Sequence, residues 1–91
     1  MFTWDPVKAR SNAIKHGVSF EAVWDFAWER AVVVDRTRQG DGEPRRAAIR
    51  RIHGALHTIV FTERPEGVRI IGVRCANRAE ERAHARIVDE T

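Results

Sequence analysis

The hydrophobic rhythm of this chain changes once, near Ala31, and that change restricts the fold more than any single residue does. Before it, apolar residues recur at steps of three and four, the spacing that lines one face of a helix. Trp4, Val7, Ser11, Ile14 and Val18 make one such series, with an inward-facing stripe expected. Phe20, Val23, Trp24, Ala27 and Trp28 make a second and stronger one. After the change, apolar residues come in short β-branched runs at 31–34, 45–52, 55–62 and 68–75, separated by turns at 38–42, 53–54 and 64–67. Runs of this length bounded by Gly, Pro and Asp read as strands. The last two, joined across Pro65-Glu66-Gly67, read as an antiparallel hairpin.

Local signals place the ends of the elements. Asp5 suits a helix N-cap and Pro6 the first helical position, where a missing N–H costs nothing. Gly17 stops that helix. Ser19 caps the second series, with Glu21 in its first turn, and Asn77 with Glu80 three residues on is a capping box for a last helix. Ala79, Ala83 and Ile87 give that helix a weak apolar stripe. Phe2-Thr3-Trp4 suits an edge strand. The expected order is β-α-α-β-β-β-β-α. This is an α+β fold: an antiparallel sheet of four to five strands, two N-terminal helices on one face, a C-terminal helix, and the other face partly open. The three tryptophans read as core packing rather than as stacking platforms.

Ninety-one residues make one domain, 1–91. No apolar run approaches the ~20 residues that cross a bilayer, and the N-terminus lacks the pattern of a signal peptide. Cys75 is the single cysteine, so no internal disulfide is available and a reducing cytoplasm is expected. The charge is built from arginine: 14 of the 16 basic residues. Seven arginines fall between Arg45 and Arg74, against two acids, Glu63 and Glu66. Guanidinium is a planar fork of donors that stays charged and stacks on bases, which suits phosphate and nucleic acid. Arginine-rich composition also follows from a GC-rich genome. The net charge of +3 and pI near 10.0 favour an anionic partner, and the tail at Asp89 and Glu90 locally reverses the trend.

Metal and nucleotide motifs are missing: His53 and His57 share no helical face, and Gly40 and Gly42 lack the Lys-Ser of a phosphate loop. No cofactor is expected. RNA cleavage through the 2′-hydroxyl needs only a proton acceptor, cations for the phosphorane and a proton donor. Arg45, Arg64 and Arg74 are candidate cations. Glu63 is a base or a surface partner for a neighbouring arginine. His16 is a proton carrier, or a positive ring suited to a helix C-terminus. Arg46, Arg50 and Arg69 are candidate RNA contacts. Arg78, Arg82 and Arg86 form a basic stripe on the last helix, either backbone-tracking or solvated beside Glu81.

Phe2-x-Trp4-Asp5-Pro6-x-Lys8, Asn12, the block from Lys15 to Glu21 (K-H-G-V-S-F-E), Gly42-Glu43-x-Arg45, Thr62-Glu63-Arg64, Arg69-Ile70-Ile71 and Arg74-x-Ala76-Asn77-Arg78-x-Glu80 together resemble the BrnT family of toxins. The resemblance spans residues 2 to about 84. It implies a RelE-like fold and a ribonuclease toxin of a type II toxin–antitoxin pair; together with the arginines above, the expected activity is metal-independent cleavage of mRNA that inhibits translation. It also implies a DNA-binding BrnA-like antitoxin whose complex with the toxin sits on operator DNA. Matching positions carry His16, Arg45, Glu63, Arg64, Arg74 and Glu80 over as site candidates. The chain departs from the family at Gly72, where serine is usual, and at His84, where tyrosine is. A non-catalytic nucleic-acid-binding or co-repressor subunit, or a purely structural partner-binding domain, would use the same arginines without chemistry.

Overall fold

Val, Ile and Thr in strands 46–52, 55–64 and 67–75 build a meander, and everything else is arranged around it. The computed structural model describes residues 1–40 and 42–89. Asp41 of the 38–42 turn and the acidic tail (the Asp89 side chain and Glu90) lie outside the described residues. The strands are β1 (Phe2–Thr3), β2 (Val32–Asp35), β3 (Arg46–Ile52), β4 (Ala55–Arg64) and β5 (Gly67–Cys75). The helices are α1 (Pro6–His16) and α2 (Arg78–Asp89). The five strands form one sheet in the order β1-β5-β4-β3-β2. β2 to β5 pair antiparallel, whereas β1 pairs parallel to β5 through Phe2↔Val68 and Thr3↔Arg69. The sheet is therefore mixed, not purely antiparallel. Gly67 makes the parallel contact possible, because its φ is 140° and a Cβ there would run into the Met1 carbonyl, which accepts from the Val68 N–H at 2.9 Å.

Residues directly opposite one another in a ladder share a face. One face carries the row Ala48–Ile59–Val73 with Ile52, Phe61 and Ile70, and it forms the core with Phe20, Val23 and Phe26. The segment that supplies those aromatics is not the α-helix expected for 20–28. It folds as two 3₁₀ turns, Phe20–Trp24 and Trp28–Arg30. The buried residues Phe20, Val23 and Phe26 sit at steps of three, the period of a 3₁₀ turn. Trp28 closes the segment, its Nε1–H donating to the Val23 carbonyl at 3.1 Å. Trp4 and Trp28 pack on the core as expected, while Trp24 is 62% exposed, edge-on to Phe2.

Helix α1 has the predicted caps: the Asp5 carboxylate accepts from the Val7 N–H, and Gly17 is left-handed. Its expected inward stripe is not inward. Val7 and Ile14 are 61% and 88% exposed, and the residues turned to the sheet are Ala9, Asn12 and His16. The cause is a polar clasp. β1 ends at Thr3, so β5 has no strand beside Val73. The Asn12 side chain fills that place: its Nδ2 donates to the Val73 carbonyl at 2.6 Å and its Oδ1 accepts from the Val73 N–H at 3.3 Å. Nδ2 also donates to the Val18 carbonyl. Helix α2 crosses the other sheet face near β2 and β3. Of its expected stripe, only Ala83 is half-buried; Ala79 and Ile87 are exposed and the buried side chain is Glu80.

Candidate functional site

The second sheet face is built from three cross-strand rows. Val32–Ile49–Thr58–Arg74 lies next to α2. Val34–Ala47–Val60–Gly72 comes next, and beyond it Arg45, Thr62 and Arg69 continue the same parity. α2 covers only part of this face. The remainder is a cleft of about 470 Å³ lined by Lys15, Arg36, Arg38, Arg45, Val60, Ile71, Gly72 and Arg74. Two smaller cavities adjoin it through Arg45 and Ile71. One adds Lys8, Asn12 and His16; the other adds Asp5, Lys8, Glu43, Arg64 and Arg69. A β-bulge places Ile71 at their junction, because Val60 pairs with Gly72 but Phe61 pairs with Ile70, leaving one extra residue in β5.

Glu80 anchors the cleft. It is fully buried, and its carboxylate accepts from Arg74 through both guanidinium nitrogens, at 2.6 and 2.9 Å. Arg36 also approaches its Oε2, at 3.6 Å. The predicted capping box is present: Asn77 N–H donates to Glu80 at 2.9 Å and Glu80 N–H to the Asn77 side chain at 2.8 Å. Burial pushes this carboxyl up, but the Arg74 hydrogen bonds, the Asn77 N–H and the Arg74 charge outweigh it and hold it at about 2. Glu80 is thus a permanent anion that aims two arginines, and its lone pairs are committed. In return its hydrogen bonds raise Arg74 above the ordinary guanidinium value.

The structure brings together His16, Arg45, Arg64, Arg69, Arg74 and Glu80, from separate stretches of the chain. Arg64 stands at the far end, in a two-pronged pair with Glu43 at 2.8 and 3.3 Å; that hydrogen bond holds Glu43 below the usual carboxylate range and raises Arg64. Glu63, by contrast, pairs with Arg46 at 2.7 Å on the core-side face, away from the cleft. Arg50 shares that face, in the row with His57 and Cys75. Arg78 is exposed on α2. Arg82 lines a separate groove with Arg51, Leu56 and His84, so His84 is not positioned to serve the arginine cleft. Sequence reasoning missed Lys15, Arg36 and Arg38. Arg36 continues the parity of Val32 and Val34, and Lys15 lies two turns from Lys8 on α1, so both carried a signal. Arg38 lies in a turn and carried none.

Chemically, the arrangement is a cationic cleft with an apolar floor, open to solvent on a half-covered sheet. It gives a small α+β domain one face whose charge is chemically suited to a polyanion. The family model described as "Ribonuclease toxin, BrnT, of type II toxin-antitoxin system" matches residues 4–80, and the chain belongs to that family. Among solved structures, it is similar to the Brucella abortus ribonuclease toxin BrnT, with 26% sequence identity and a TM-score of 0.68 over 86% of this chain and 99% of that one. No curated protein sequence matches it.

Proposed function

We propose that this protein is an endoribonuclease that cleaves mRNA in its arginine cleft by a metal-independent route, using the sheet face as RelE-like toxins do. A single observation supports this most directly: Arg45 and Arg74, the latter fixed by a buried carboxylate, face one cleft that also holds Lys15, Arg36 and Arg38. In this reading the scissile phosphate lies between Arg45 and Arg74. The 2′-oxygen attacks phosphorus, the bond to the 5′-oxygen breaks, and a 2′,3′-cyclic phosphate is left. The guanidinium groups stabilise the charge that develops on the phosphorane. His16, in the cavity that shares Arg45, is the side chain suited to carry a proton between the 2′-hydroxyl and the leaving 5′-oxygen. Glu80 does not act as the base, because its lone pairs hold arginine. A surrounding wall of guanidinium groups also repels a divalent cation.

The partner is a BrnA-like, DNA-binding antitoxin, and the pair acts on operator DNA. Arg69 and Arg64 extend the RNA track, and Arg78 and Arg82 offer a second basic surface. The test is cleavage of a single-stranded RNA by purified protein in EDTA. Intact activity in chelator, resistance of a 2′-deoxy substrate, and loss of activity in Arg45→Ala and Arg74→Ala with antitoxin binding retained are the expected results. Wild-type protein that leaves RNA whole yet retards DNA alone would establish the co-repressor reading instead.

A further inference from the structure

Resting on the ribonuclease reading above, we infer that Val60, Ile71 and Gly72 form a nucleoside subsite in the floor of the cleft, sized for a purine by the missing side chain at Gly72. The row Val34–Ala47–Val60–Gly72 crosses the sheet between two charged rows, Arg36 and Arg45 on one side and Arg74 with Glu80 on the other. At the β2 end the row is closed. Ala47 is fully buried, and Arg36 reaches across from the Arg45 side to Glu80.

At the β5 end the row is open, and Val60, Ile71 and Gly72 all line the cleft. A Cβ at position 72 would meet only Asn12 Oδ1, at 3.7 Å, so the space above Gly72 belongs to the cleft and not to packing. This floor offers no side-chain donor, so the phosphate that Arg45 and Arg74 hold above it has no reason to sink onto it. A flat base does, because stacking on an apolar surface removes it from water while the flanking guanidinium groups take the adjacent phosphates. Only an unpaired base can lie down there, since a base in a duplex is already stacked and its face is covered. Gly72 is then a specificity-determining position: a side chain on it takes away the area that the second ring of a purine needs.

The experiment compares wild type with Gly72→Ala, Gly72→Ser and Gly72→Val. Affinities for 5′-GMP, 5′-AMP, 5′-CMP and tripolyphosphate are measured by calorimetry, alongside cleavage of single-stranded RNAs that differ only in purine or pyrimidine at the cut. β-Branched residues suit a strand, so Gly72→Val is expected to fold; should it not, the Ala and Ser variants, whose Cβ fits, carry the comparison. The expected result is purine preference in the wild type. The Val variant should lose it by about tenfold in both affinity and cleavage, with tripolyphosphate affinity within about twofold, since its contacts are electrostatic. An unchanged purine-to-pyrimidine ratio in Gly72→Val, with RNA still cut, overturns the subsite. Absence of any RNA cleavage by the wild type overturns the ribonuclease reading instead, and the mononucleotide affinities still decide the subsite.

Discussion

Glu80 caps a helix and aims two arginines through one carboxylate. Its ordinary carboxyl value is 4.5 and in the fold it lies at about 2. A carboxylate depressed in this way contributes stability that is complete above about 4.5 and is lost as pH falls from there toward 2. The loss is about 2 kcal/mol, Arg74's partial exposure keeping it below the limit for a sealed pair. Urea unfolding of wild type at pH 6, 4 and 2.5 is expected to show that decline, and Glu80→Gln, which has no such charge to lose, a flatter one. At neutral pH, Glu80→Ala removes the cap and leaves Arg74 and Arg36 aimless. It should destabilise by about 3 kcal/mol and lower kcat more than it raises KM. Glu80→Asp, shorter but charged, should restore part of both. In sequence, Asn77 and Glu80 were legible as a capping box, and their structural half was foreseen. What was not legible was the second use of the same carboxylate, because Arg36 lies 44 positions earlier and only the β2–β3 pairing brings it near.

Among the elements, legibility followed whether the deciding contact was local. Helix α1, its two caps, the four later strands and the start of α2 were readable because their signals sit within a few residues. The 20–28 segment was not. Phe20, Val23, Trp24, Ala27 and Trp28 satisfy an α-helical template, yet Phe20, Val23 and Phe26 satisfy a three-residue template equally well. Burial of all three aromatic and aliphatic side chains on the sheet decided for the latter. The rotation of α1 was likewise set at a distance, by the Asn12 clasp on β5. Asn12→Ala leaves the Val73 N–H and carbonyl without their partner. It is expected to lower stability by about 1–3 kcal/mol, with the Val73 amide losing hydrogen-exchange protection more than those of β3. Asn12→Asp keeps the acceptor but loses both donations and should fall at the upper end of that range. Equal protection at Val73 in wild type and variant would show that the clasp does not hold the edge.

At the scale of the whole molecule, the seven arginines between Arg45 and Arg74 are not one patch. Strand alternation divides them. Arg45, Arg69 and Arg74 face the cleft, and Arg46 and Arg50 the opposite side. The composition of the window gave no way to tell the two sets apart, because which parity faces the cleft depends on where α2 and the 3₁₀ segment settle. This division has a measurable consequence in salt. A single strand that displaces counterions from Z contacts loses affinity with a slope of about −0.7Z in log–log form. Lys15, Arg38, Arg45 and Arg74 around one cleft therefore predict a slope of about −3 for a non-cleavable RNA. Arg45→Ala should make it shallower by about 0.7, whereas Arg46→Ala, which removes a charge of equal size from the other face, should leave it where it was. Identical slopes for those two variants would mean that net charge, not the cleft, holds the RNA. The comparison isolates position from charge, since both substitutions change the protein's total by the same amount.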